Sequence, residues 1–174
     1  MINVGVIGYG YWGPNIVRNF SSIEGAEVRS ICDMNPQSLS RARKMYPNIP
    51  ATQNCEEVLN ATDIDAVAVI TPVSTHYELA KRALENGKHV FVEKPFTATI
   101  AQAEQLIELA DRKKLTIMVD HTFIFTGAVR KIKRLIEEKT LGDLYYYDSS
   151  RVNLGLFQSD VNVIWDLAPH DFSV

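Results

Sequence analysis

Two short stretches of this chain carry residue types and spacings that suit nucleotide chemistry. In "VIGYGYWGPN", Gly8, Gly10 and Gly13 form a G-x-G-x-x-G pattern directly after an apolar run. The first glycine permits a tight turn, the second lets backbone approach a pyrophosphate, and the third allows a helix to pack closely on its strand. The start of that helix adds unpaired N–H groups and a positive dipole end for phosphate. Asp33 closes the next apolar run, twenty residues after Gly13. A carboxylate there accepts a hydrogen bond from a ribose 2′-OH and repels a 2′-phosphate. No arginine follows Asp33 directly, so NAD is favoured over NADP. Tyr9, Tyr11 and Trp12 interleave the glycines, and they either cover a dinucleotide or pack beneath the sheet edge.

The second stretch is Glu93-Lys94-Pro95, which ends "KHVFVEKP", with a companion in "TPVSTH" (Thr71, Pro72, His76). In an open α/β sheet, ligands bind beyond the carboxyl ends of the strands. Thr71, Pro72, Glu93, Lys94 and Pro95 are therefore expected to face one crevice. Pro95 removes a backbone donor and holds Lys94 extended, which stops the strand and aims the lysine at the nicotinamide end. His76 falls in the first turn of a helix, in a structural or cofactor-adjacent position. His121, in "VDHTF", is expected near the cleft with no assigned role.

Alternating elements must position these groups. "INVGVIG", "AEVRSICD", "DAVAVIT", "KHVFVEK" and "LTIMVD" read as buried strands, with a short extended piece near Ile49. Helices are expected from Pro14 to Phe20, over "PQSLSRARKMY", from Cys55 to Asn60, from Ser74 to Asn86 with Gly87 closing it, and from Thr99 to Lys114. This alternation predicts an α/β fold, a Rossmann-type doubly wound parallel sheet over residues 1–120. After Asp120 the patterning changes. "GAVRKIKRLIEEKT" reads as a helix and "GDLYYYDSSRVNLG" as a strand with one exposed face. Residues 121–174 are thus expected to open an α+β substrate and oligomerisation domain that is incomplete at Val174. In that setting Tyr145–Tyr147 are read as core and interface. Arg151 and Asn153 are read as substrate contacts or as a polar strand face.

Together the glycine loop, T-P-x-x-x-H and E-K-P resemble the Gfo/Idh/MocA oxidoreductases, relatives of glucose–fructose oxidoreductase and inositol dehydrogenase. The resemblance covers essentially the whole chain. It implies a Rossmann domain, a C-terminal domain with a large open sheet, and oxidation or reduction of a secondary alcohol on a sugar or cyclitol. The family's D-x-x-x-H signature falls on Asp166 and His170 in "IWDLAPHD". Lys94, Asp166 and His170 are the residues that the resemblance marks as catalytic. "GYGYWGPN" and "WDLAPHD" look most like the branch acting on nucleotide sugars. The chemistry asks for such groups independently: a base must take the hydroxyl proton as hydride leaves the carbon, and a cation must stabilise the alkoxide. His170 suits the first task and Lys94 the second, with the roles shareable or reversed. Asp166 and His170, four apart, share a helix face. With Asp166 as N-cap, Pro169 falls in the first turn and His170 near the positive dipole end, which favours a neutral base.

Composition excludes other classes. Apolar residues make up 46% and charged residues 22%, and the net charge of -3 leaves no basic footprint for nucleic acid or a membrane surface. Cys32 and Cys55 are too few for a disulfide framework or a metal site, so a cytoplasmic setting is expected. A full-length protein is expected to be a homo-oligomer that takes a sugar or nucleotide-sugar substrate. The competing hypothesis is an NAD-binding module without turnover. A methyltransferase is disfavoured, because its glycine loop needs no E-K-P strand end.

Overall fold

Six apolar runs become strands in the computed structural model, which describes residues 1–150, 152 and 161–174. They are β1 (Ile2–Ile7), β2 (Ala26–Cys32), β3 (Ala51–Thr52), β4 (Ala66–Val69), β5 (His89–Val92) and β6 (Ile117–Val119). All neighbours pair in parallel, in the order β3-β2-β1-β4-β5-β6. The connecting helices are α1 (Gly13–Ser22), α2 (Pro36–Met45), α3 (Cys55–Leu59), α4 (Val73–Glu85) and α5 (Ile100–Lys113). Because the order reverses between β1 and β4, the switch point of this Rossmann-type sheet opens at their carboxyl ends.

Near-continuous Val, Ile and Ala runs form these strands because both sheet faces are covered. On one face Ile7, Val67, Val69, Leu84 and Leu106 share a core. On the other, Val4, Val6, Val17, Ile31 and Ala68 share a second. Gly5 has a packing reason: a Cβ there would lie 2.4 Å from Val58 Cγ1, so only glycine lets α3 approach β1. Short polar side chains start the helices. Asn35, Asn54 and Thr99 accept from the backbone N–H of Gln37, Glu56 and Gln102, and Pro36 opens α2 where its missing N–H costs nothing. The short extended piece forms at Ala51–Thr52, beyond Ile49, where it pairs with Ile31 and Cys32.

The chain divides into two units, Met1–Asp120 and His121–Val174. The second holds a 3-10 turn at Thr122–Phe125, α6 (Gly127–Glu137) and α7 (Val163–Phe172). The turn was not anticipated from the sequence. The expected strand from Gly142 onward does not form over residues 142–150, and Tyr145, Tyr146 and Tyr147 are exposed instead of forming core. An alternating pattern becomes a strand only when a neighbour takes its backbone hydrogen bonds. Arg151 and Asn153 lie outside the described residues. Among the described residues no helix is long and apolar enough to cross a membrane.

Candidate functional site

At the carboxyl end of β1 the glycines are held by contacts that exclude side chains. Gly8 has φ +105°, and a Cβ there would sit 2.1 Å from the Ile70 carbonyl oxygen at the end of β4. Its N–H donates to Cys32 O at 2.8 Å, so the turn is tied to both neighbouring strands. A Cβ on Gly13 would lie 2.5 Å from Gly8 O, which explains the close return of α1. Gly10 is different: nothing lies within 4 Å of where its Cβ would be. Trp12 caps α1 without a side-chain hydrogen bond, and no acid occupies the first turn. An open glycine facing an uncapped helix start fits a pyrophosphate.

Asp33 anchors the loop as well as lying near it. Its Oδ2 accepts from the Tyr9 N–H at 2.6 Å and its Oδ1 from the Asn35 N–H at 2.7 Å. Each oxygen keeps a further lone pair for a hydroxyl donor. The aromatic question divides by residue. Tyr9 is buried in the α1–α2 core, where desolvation pushes its phenol upward. Tyr11 and Trp12 are 73% and 50% exposed and stack edge to face at 5.4 Å.

The T-P and E-K-P ends follow β4 and β5. Pro72 is the exposed N-cap of α4, and Thr71 accepts a 2.7 Å hydrogen bond from the Thr75 hydroxyl. Lys94 is half-buried, and its bond to Pro95 is cis. Glu93, Pro95 and His76 are all buried. They support the strand ends from within. Glu93 is 8% exposed, and its Oε2 accepts from the Lys94 N–H at 3.0 Å. Desolvation, then the charge of Asp120 and a hydrogen bond with it, push the Glu93 carboxyl up to about 7, against the pull of Lys94. Two carboxyls in hydrogen-bond contact hold one proton between them. His76 has its ring nitrogens against Thr71 O and Pro95 O, so it braces this corner.

In the second unit α7 carries Asp166 and His170 on one face, four residues apart. Three expectations about this helix need correction. Its N-cap is Asn162, whose side chain accepts from Trp165 N–H at 2.9 Å. Pro169 therefore lies inside the helix, and His170 lies in the last turn. The dipole argument for a neutral His170 does not hold, because that end of a helix is the negative one. The unforeseen 3-10 turn supplies a partner in its place: the Phe123 ring stacks on His170 at 4.3 Å and 17°. His121 precedes that turn and is half-buried. Lys94 belongs to the first unit, Asp166 and His170 to the second. Among the described residues no cluster of His, Cys, Asp and Glu could hold a metal ion.

Comparison with known proteins adds to this geometry. Residues 2–121 match a family described as an oxidoreductase family with an NAD-binding Rossmann fold. YdgJ of Escherichia coli (strain K12), an uncharacterized oxidoreductase, is 31% identical over 97% of this chain and 51% of its own length. Scyllo-inositol dehydrogenase from Lactobacillus casei, solved with NAD(H) and scyllo-inositol, is 26% identical with a TM-score of 0.77, over 82% of this chain and 43% of that one. KijD10, a 3-ketoreductase from Actinomadura kijaniata solved with NADP and TDP-benzene, is 29% identical with a TM-score of 0.73, over 79% and 42%. The chain spans about half, or less, of the length of each.

Proposed function

This chain belongs to the Gfo/Idh/MocA oxidoreductase family, and on that premise we propose that it serves an NAD-dependent hydride transfer to or from a secondary hydroxyl of a sugar, cyclitol or nucleotide sugar. One observation carries the reading: the glycine loop, Asp33 and the Lys94 turn end β1, β2 and β5 of a single parallel sheet, around its switch point. Bound there, a nicotinamide dinucleotide supplies the group that accepts or donates hydride. The Gly10 backbone and the α1 start hold the pyrophosphate, and Asp33 accepts from the adenosine ribose. Lys94 places a positive charge beside the substrate oxygen. His170 takes or returns the hydroxyl proton, with Asp166 beside it on the same helix face.

The carboxylate at Asp33 supports NAD over NADP, since a 2′-phosphate would meet an oxygen already committed to Tyr9 N–H. Two relatives support this substrate class, one solved with scyllo-inositol and the other with TDP-benzene. The test is a titration with NADH and NADPH followed by tryptophan fluorescence. NADH is expected to bind at least ~10-fold more tightly, as loss of a ribose hydrogen bond and charge repulsion each weigh on NADPH. Equal or reversed affinities refute the Asp33 assignment. No binding by a cooperatively melting chain refutes the cofactor site. NADH binding without turnover of scyllo-inositol or a TDP-hexose, by the chain or by a full-length protein containing it, favours a binding module.

A further inference from the structure

The side chain of His76 is 1% exposed, yet it is polar at both ends of its ring. Nε2 lies 2.7 Å from the carbonyl oxygen of Thr71, in the loop that follows β4. Nδ1 lies 2.9 Å from the carbonyl oxygen of Pro95, in the turn that follows β5. A backbone carbonyl can only accept a hydrogen bond. A neutral imidazole has one N–H to give, so its other nitrogen would direct a lone pair at a carbonyl lone pair across less than 3 Å. An imidazolium donates to both, and charge-assisted bonds of this kind are the short ones. We infer that His76 is held as a buried imidazolium that staples the β4 loop to the Lys94–Pro95 turn, making it a positioning residue for Lys94 and not a contact to the cofactor.

The placement gives the staple its purpose. Thr71 immediately precedes Pro72, the N-cap of α4, and Pro95 immediately follows Lys94. Strands β4 and β5 are paired up to Val69 and Val92, with one further backbone bond from Glu93 N–H to Val69 O at 3.0 Å. His76 joins the two chains where backbone pairing stops, so Lys94 projects from a turn fixed on both sides. Its own N–H is held by Glu93 Oε2 on one side, and the next residue's carbonyl is held by His76 on the other. Ionisable groups at the ends of the adjoining strands are Glu93 and Lys94 after β5 and Asp120 after β6, and Tyr77 follows His76 on α4. Tyr77 donates to Gln105. Glu93 and Asp120, sharing a proton, leave one negative charge beside the positive charge of Lys94.

This inference rests on the reading of Lys94 as a working residue, but its test does not depend on turnover. The first measurement is a long-range nitrogen–proton spectrum of the wild-type chain with labelled histidine, at a pH about one unit above the ordinary histidine value. Both His76 ring nitrogens are expected to carry protons. One unprotonated nitrogen overturns the imidazolium. The second is hydrogen exchange in His76→Gln, which keeps an N–H donor but no charge. The Lys94 amide is expected to exchange at least ~10-fold faster while the Val6 amide in β1 is unchanged, the pattern of local opening. Unchanged exchange at Lys94 overturns the staple. NADH affinity in the same variant should shift less than ~3-fold, and a loss of ~10-fold or more would make His76 a cofactor contact. Should wild-type chain fail to bind NADH at all, the oxidoreductase reading falls while the spectrum still decides the charge of His76.

Discussion

Replacing Glu93 with Gln isolates one buried proton at the base of the Lys94 turn. Glutamine reproduces the protonated acid: its amide oxygen accepts from Lys94 N–H, and its NH₂ donates to Asp120. Burial and the neighbouring Asp120 raise the Glu93 carboxyl from the usual 4.5 to about 7. The folded state therefore holds this proton more tightly than the unfolded chain does. Its stabilisation is fully present below the unfolded value and is lost as pH climbs through about 7. At about 1.4 kcal/mol per pH unit, that range corresponds to ~3 kcal/mol, and sharing of the proton with Asp120 reduces it to ~1–3 kcal/mol. Urea unfolding of both proteins from about pH 5 to about pH 8 measures the difference directly. The variant should match wild type within ~0.5 kcal/mol at the acid end and exceed it by ~1–3 kcal/mol at the alkaline end. Parallel stability curves would refute the shared proton, and a variant less stable at alkaline pH would show that Glu93 works as a carboxylate.

Four further outcomes follow from the geometry. Gly13→Ala places a methyl 2.5 Å from Gly8 O and should cost ~1–3 kcal/mol in denaturant unfolding. Gly10→Ala meets no atom within 4 Å, so it should keep stability within ~0.5 kcal/mol yet weaken NADH binding ~10-fold or more in calorimetry. Asp33→Ala strands the Tyr9 and Asn35 N–H groups and should lower stability by ~1–3 kcal/mol, together with the NADH preference over NADPH. The Cys32 thiol, buried and pushed up to about 12, should resist iodoacetamide in folded protein at about pH 8 and react only after unfolding.

Much of this protein was determined by local pattern. Continuous Val and Ile runs, Pro36 after Asn35, and glycines at 8, 10 and 13 report backbone conformation and face, which depend on neighbours a few residues away. The sheet and its switch point were legible for that reason. What tertiary structure alone decided is where long-range polar partners lie. Glu93 reads as a crevice acid until β6 brings Asp120 beside it. His76 reads as a helix-start histidine until two strand ends place carbonyls on both ring nitrogens. Lys88, just before β5, is buried with its ammonium on the Ile64 carbonyl. In α7 the pattern suggests Asp166 as the cap, and only the hydrogen bond that Asn162 accepts from Trp165 N–H moves the cap to Asn162. The tyrosine-rich run alternates as a strand should, and over residues 142–150 it forms none. A pattern states which side a residue faces, but a buried charge or a strand edge is settled by the group on the other side, and that group is supplied by distant sequence.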